Sequence, residues 1–253
     1  MVDAKTAALE RLRPAVERAR KFGGWVFSDL NIRHLGPELP WDYPQLVRER
    51  ARDRRSALDM GTGPGERLAA LRDSLPERLV ATEEWPTNAP VAYQRLTSLG
   101  IDVVHCRSLQ LSFRDEAFDL VLNRHDDLDP AEVARVLQPG GELITQQVGR
   151  DNWRELRRRF PRATDWGDVR GTYTRGFTAA GLEVTADRQH EYRVAFPSLS
   201  ELVFMLTVAP WTIPEFDLDR DAEALLEIES DCQTNDGLVL TESRFLIVAE
   251  KPV

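Results

Sequence analysis

Apolar positions along this chain follow two rhythms. In its middle third, short apolar runs alternate with stretches whose apolar residues recur every three or four positions. The runs are Ser56–Met60, Arg78–Thr82, Ile101–Cys106, Phe118–Asn123 and Glu142–Val148. Phe118–Asn123 is nearly continuous, as expected of a strand buried on both faces. Between the runs, Asn88–Leu99 has helical spacing and closes on Gly100. Asp129-Pro130 supplies an N-cap and a proline at the first helical position, predicting a helix to Leu137. Pro139-Gly140-Gly141 is predicted to turn the chain into the fifth strand. Strands alternating with helices in this way predict a parallel, doubly wound α/β sheet.

Both flanks extend that core. Ala4, Ala7, Ala8, Leu9, Leu12, Val16 and Ala19 predict an N-terminal helix over 3–21, ended by Gly23-Gly24. Residues 25–45 are rich in proline and aromatics, with Trp25, Trp41 and Tyr43 among them. Towards the C-terminus, Leu182–Phe196 alternates as a long strand and Gly237–Glu250 reads as the last, bringing the expected sheet to seven strands. Between these two lie an apolar helix over Ser198–Val208, a break at Pro210-Trp211-Thr212-Ile213-Pro214, and helical spacing again over Asp219–Ser230. The expected organisation is a single domain over 1–253. It comprises an N-terminal helical extension (1–50), a half of alternating strands and helices (51–150) and a second half (151–253) with an insertion at about 197–236.

Composition narrows the class. The chain has 253 residues, 42% apolar, enough for a sizeable core. It has no apolar run long enough for a membrane span and no signal-peptide pattern, so a cytoplasmic location without membrane attachment is expected. Two cysteines, Cys106 and Cys232, make neither a disulfide framework nor a zinc site. A net charge of −9 argues against non-specific nucleic-acid binding, since phosphates are repelled on average. Oligomeric state is not legible.

The chemistry concentrates at the end of the first central strand, in Leu58-Asp59-Met60-Gly61-Thr62-Gly63-Pro64-Gly65-Glu66. Glycines at 61, 63 and 65 let the backbone turn through positive φ and approach a ligand closely. The dinucleotide fingerprint needs a further glycine at 66, where Glu66 stands, and a carboxylate there would repel a diphosphate. A phosphate-cradling Gly-Lys pair is also missing. At the end of the second strand, Glu83-Glu84 lies about 20 residues past the loop, where a carboxylate can accept ribose hydroxyls.

An acid followed by G-x-G-x-G resembles the first motif of the class I S-adenosylmethionine (SAM) methyltransferases. Phe118-Asp119 and Leu137-Gln138-Pro139-Gly140-Gly141 are similar to later segments of the same family. The resemblance covers 55–150 closely and implies a sheet whose last strand runs antiparallel to the others, with 51–150 as the cofactor-binding half, 151–253 as the acceptor side, and the N-terminal extension (1–50) and the insertion at about 197–236 as lids. It also implies SAM as methyl donor, with S-adenosylhomocysteine as product, above a loop beside which an acid is tolerated. Cofactor-binding residues are then expected at Asp59, Gly61, Thr62, Gly63, Gly65, Glu83, Glu84, Ser108, Leu109 and Asn123. Relatives usually place an aspartate against the adenine amino group after the third strand. Here Arg107-Ser108 stands instead, leaving recognition to the Ser108 hydroxyl or to the carbonyls of Ser108 and Leu109.

Methyl transfer needs a positioned nucleophile and, for a protonated acceptor, a base. Among the four histidines, His125 directly follows the fourth strand, on the ligand-binding edge of such a sheet, and is the first candidate. His34, in the N-terminal lid, is the second. His105 is expected to be structural and His190 a surface residue. Trp25, Trp41, Tyr43, Arg124 and Trp211 are the expected acceptor-side residues. The resemblance also admits a Mg²⁺-assisted variant through Asp126, Asp127, Asp151 and Asn152, less favoured than a metal-free site. Arg48–Arg55 is expected to form a solvated helix. Arg154–Arg162, more one-sidedly basic, is either a surface helix or a contact for a phosphate-bearing acceptor such as RNA. The expected function is SAM-dependent methylation at O or N of a small organic acceptor. The alternatives are RNA methylation and a non-catalytic SAM-fold binding module.

Overall fold

The computed structural model describes residues 4–25 and 27–253. The N-terminal helix is α1 (Ala4–Arg20); position 3 of the expected helix lies outside the described residues. Then come β1 (Arg33–Leu35), α2 (Tyr43–Arg50), β2 (Ser56–Met60), the short α3 (Glu66–Ala69), β3 (Arg78–Thr82), α4 (Ala89–Thr97) and β4 (Asp102–Val104). The middle of the chain forms β5 (Phe118–Arg124), α5 (Pro130–Val136), β6 (Leu137–Val148), the short α6 (Arg154–Arg157) and α7 (Val169–Ala179). The C-terminal part holds β7 (Glu183–Phe196), α8 (Leu199–Val208), α9 (Leu218–Cys232), β8 (Gln233–Thr234) and β9 (Gly237–Glu250). Among the described residues, nine strands belong to one sheet: the seven expected, plus the short β1 and β8. None of the described helices is long and apolar enough to cross a membrane.

The chain divides into two compact units. The larger comprises Leu39–Gly149, Asp168–His190 and Arg244–Val253. Its strand order is β7-β9-β6-β5-β2-β3-β4. Strands β4, β3, β2, β5 and β6 are parallel along that path, and β9 is antiparallel to β6. The chain proceeds outward from β2 to β3 and β4, then crosses to β5 on the other side of β2. That reversal makes the carboxyl ends of β2 and β5 a topological switch point, where open α/β sheets bind ligands.

Strict two-residue alternation sends successive side chains to opposite cores. Leu58, Met60, Val121, Leu143, Phe245 and Ile247 pack with α5 and α7 residues Val133, Val136, Tyr173 and Phe177. Ala57, Leu120, Leu122, Ile144, Leu246 and Val248 pack with Tyr43, Val47, Leu68, Ala92 and Leu96 of α2, α3 and α4. Both faces are apolar because both are covered. Strand β4 is shorter than the expected Ile101–Cys106, since it sits at the sheet edge and pairs only with β3. Strand β6 is longer, because Pro139-Gly140-Gly141 does not break it. The register jumps between the Phe118–Leu137 and Leu120–Glu142 pairs, and the glycines are absorbed as an irregularity with Gly140 at φ 75°.

Arg48–Arg55 is not merely a solvated helix. Glu142 is fully buried in β6, and Arg50 and Arg54 reach its carboxylate at 2.6 Å and 3.5 Å. Burial pushes this carboxyl up, and the two guanidinium groups pull it back. Arg50→Ala is expected to lower stability by about 2 kcal/mol in urea denaturation, less than a fully buried pair because Arg50 is partly exposed.

The smaller unit comprises Met1–Glu38, Arg150–Gly167 and Glu191–Ser243. Here α1 packs on α8 and α9, burying Leu12, Ala15 and Ala19 among Leu199, Leu202, Val203, Leu206 and Leu225. Strand β1 pairs antiparallel with Arg193–Ala195 of β7. Helix α8 is capped by the Ser198 hydroxyl accepting from the Ser200 amide, and α9 by Asp217 accepting from the Arg220 amide.

Candidate active site

The glycine loop follows β2 at the switch point, within the larger unit. Gly61, Gly63 and Gly65 have φ of 65°, 63° and 84°. The Thr62 amide donates to the Thr82 carbonyl at 2.8 Å, tying the loop to the end of β3. Two of the glycines are also required by close approach. A side chain at Gly61 would run into Asp126, and one at Gly65 would lie 2.8 Å from Leu96 Cγ.

Carboxylates surround this loop. Glu83 is 6% exposed, and its Oε1 accepts the Trp85 amide at 2.7 Å. Burial pushes its carboxyl up, opposed by the amides of Trp85 and Gly63. Asp59 is pushed up to about 7 by burial, with the charges of Asp126 and Glu83 adding to it. Asp126 is pushed up to about 6, again by burial first and then by Glu83, Asp127 and Glu84. The Ser108 hydroxyl donates to Asp126 Oδ2 at 2.5 Å, and Arg107 Nε pairs with Glu84 at 3.1 Å. Arg107 and Ser108 are therefore both already bound to neighbouring acids. Ser108 keeps its lone pairs for an incoming amine; Leu109 is 44% exposed. A crowd of desolvated carboxylates favours a ligand with positive charge and opposes a diphosphate.

At the carboxyl ends of β5 and β6 lies a polar cluster. Asn123 is fully buried; its Oδ1 accepts from Thr145 Oγ1 at 2.8 Å and from Gln147 Nε2. Gln147 Nε2 also donates to the Asp126 carbonyl at 2.8 Å. His125 takes φ 59°, and its amide donates to the Gln146 carbonyl at 2.9 Å. Its Nε2 lies 3.3 Å from Gln146 Nε2, and Gln146 Oε1 accepts from Trp41 Nε1 at 2.8 Å. Burial, then the charges of Arg244, Arg124 and Arg67, hold the imidazole well below the usual histidine range. Tyr43 is a core residue, its hydroxyl donating to the Asn123 and Ile144 carbonyls at 3.3 Å and 3.5 Å. The Arg124 guanidinium lies 5.9 Å from the Tyr43 ring centre.

The structure thus gathers Asp59, the glycine loop, Glu83, Glu84, Ser108, Asn123, Arg124, His125, Trp41 and Tyr43 into the larger unit. Leu109, Asp126 and Asp127 lie there too, whereas Trp25, His34, Asp151, Asn152 and Trp211 lie in the smaller unit. Trp25 and Trp211 touch each other with ring centres 5.4 Å apart. His34 sits in β1, stacked on Tyr192 at 4.6 Å, with Nε2 2.8 Å from the Pro37 carbonyl. Asp151 pairs with Arg157 at 3.3 Å, and Asn152 Oδ1 accepts the Ser243 amide at 3.3 Å. His105 lies just past β4 rather than inside it, with Nε2 3.0 Å from the Glu84 carbonyl. Sequence reasoning missed Gln146 and Gln147. Their signal is two adjacent amides at the end of an otherwise apolar strand.

The fold is one that solved methyltransferase structures share. Residues 58–145 match a family model described as a methyltransferase domain. That stretch, 88 of the 253 residues, holds the glycine loop, Glu83 and the switch point. In fold, a candidate methyltransferase from Bacillus halodurans C-125 is similar over 83% of this chain and 99% of its own, at 17% identity and a TM-score of 0.62. The [4+2]-cyclase SpnF is similar over 98% and 97%, at 17% identity and a TM-score of 0.57. A geranyl diphosphate methyltransferase in complex with SAM is similar over 82% and 84%, at 16% identity and a TM-score of 0.51. No curated protein matches the chain in sequence.

Proposed function

We propose that the chain transfers the methyl group of SAM to an oxygen or nitrogen of a small organic acceptor. The residues fit the cofactor. Glu83 would accept its ribose hydroxyls, Asp59 and Asp126 would meet its positive charge, and the open backbone of Gly61–Gly65 would lie against it. When bound, SAM supplies a methyl group on an electrophilic sulfonium. His125, Gln146 and Arg124 orient the acceptor from the ends of β5 and β6, where alignment carries much of the acceleration.

The observation that carries the small-acceptor reading is the state of the basic run. Four of the five arginines in Arg154–Arg162 are taken up by acids: Arg154 by Glu191, Arg157 by Asp151, Arg159 by Glu227 and Asp231, and Arg162 by Asp221. Such a face offers little free charge to a phosphate backbone. A screen of small hydroxylated and amine acceptors, read by release of S-adenosylhomocysteine, is expected to find turnover. RNA binding that weakens steeply with salt, with methylated RNA as product, would instead establish the RNA reading.

A further inference from the structure

We propose that Trp41 and Gln146 are positioning residues that lock His125 as the neutral imidazole with its proton on Nδ1, making it a hydrogen-bond donor to the acceptor and not its base. Its role towards an acceptor rests on the methyltransferase reading above; the protonation state does not.

An indole N–H can only donate, so the Gln146 atom 2.8 Å from Trp41 Nε1 must be the carbonyl oxygen. That leaves the Gln146 NH₂, which also only donates, facing His125 Nε2 at 3.3 Å. Nε2 must therefore accept, and the proton of the neutral ring resides on Nδ1. A second proton would set an Nε2–H against the amide NH₂. Turning the amide over to relieve this would set its NH₂ against the indole N–H. Either arrangement opposes two donors across the buried Gln146 amide, so the ring resists becoming imidazolium.

The charged surroundings act in the same direction. Arg124 precedes His125 on β5, Arg67 belongs to α3 and Arg244 to β9, and all three oppose a positive ring. Asp126 and Asp127 follow in the chain, but Asp126 is already engaged by Ser108. The backbone is held as firmly, at φ 59° with the His125 amide on the Gln146 carbonyl. Gln146 thus fixes both the main chain and the ring of His125.

The test is long-range proton–nitrogen NMR on the full chain labelled at histidine nitrogen, from about pH 5.5 to about pH 8 around the ordinary histidine range. The expected spectrum of His125 is the neutral Nδ1–H form throughout. Gln146→Glu replaces the NH₂ with an accepting oxygen, so the ring is expected to move its proton to Nε2 and to titrate at higher pH. Trp41→Phe frees the amide to turn, and both tautomers are expected. An Nε2–H or charged imidazole in the unmodified chain, or a Gln146→Glu ring unchanged from it, would overturn the proposal. With an acceptor in hand, turnover adds a second readout. Asparagine tolerates positive φ and offers an N–H near the Nδ1 position. His125→Asn is expected to stay within about threefold of the unmodified chain, while His125→Ala loses roughly tenfold, the worth of one hydrogen bond. Equal losses in the two variants would point to a base and against the proposal. If no methyl transfer is found but the Nδ1–H form holds, only the functional reading fails.

Discussion

Asp59→Asn is expected to stabilise the ligand-free chain at pH 8 by about 2 kcal/mol while weakening SAM binding. The Asp59 carboxyl titrates near 7 in the folded chain because it is buried beside Asp126 and Glu83, against an unfolded value of about 3.9. The folded state therefore holds this proton more tightly than the unfolded state does. Its contribution is fully present below about pH 4 and is lost as pH rises through about 7. The full gap would correspond to about 4 kcal/mol, and about half is expected because the side chain keeps some contact with water. Urea denaturation at pH 5 and pH 8 checks the sign: the unmodified chain should lose stability over that interval, and the Asn variant should lose less. Equal slopes in the two proteins would show that Asp59 is not strained in the apo state. Under the proposed function the same carboxylate would meet the positive charge of SAM, so SAM affinity is expected to rise between pH 6 and pH 8. Stability and binding then pull in opposite directions at one residue, as is common where a site is held ready for a ligand.

Glu83→Ala carries the second large effect. Its carboxylate stands at the end of β3, held by the Trp85 amide at 2.7 Å. Two charge-assisted hydrogen bonds to ribose, each worth about 1.5 kcal/mol, would vanish with it, a loss of roughly 100-fold in SAM affinity. Glu83→Gln keeps an oxygen for the Trp85 amide but loses the charge, and a loss of roughly tenfold is expected. Titration calorimetry on both variants separates the roles. Unchanged affinity in Glu83→Ala would remove Glu83 from the cofactor site, and equal loss in both would assign the effect to charge alone.

The parts of the fold legible in the sequence are those whose signal is local. Five apolar runs marked the parallel strands, because a strand covered on both faces must be apolar at most positions. Asp129-Pro130 marked the start of α5 because cap and proline act within one turn. Helix α7 escaped notice: Gly171, Gly176 and several threonines make Val169–Ala179 a poor helix by propensity. It forms because Tyr173 and Phe177, one turn apart, bury themselves against the sheet, and Asp168 caps its first turn. A side chain at Gly176 would also stand 2.7 Å from Pro130, so the glycine serves the packing of α7 on α5. Strands β1 and β8 are too short for any periodicity to show, and only tertiary pairing makes them.

The site divides the same way. The loop, Glu83 and His125 were visible because chain order places them at strand ends. The Trp41–Gln146–His125 contact joins residues 105 positions apart in the chain at its widest. No local pattern announces it. Nor does any local pattern show that Asp126 lies over Gly61, or that buried Glu142 draws on Arg50 and Arg54.

The most direct test of the central claim is calorimetric titration of the full chain with SAM and with S-adenosylhomocysteine. Saturable binding of both is expected, with one site per chain, abolished in Gly61→Val, whose side chain would occupy the space of Asp126. No heat of binding with either ligand at concentrations that saturate SAM-dependent methyltransferases, in a chain that denatures cooperatively, would contradict the proposed function.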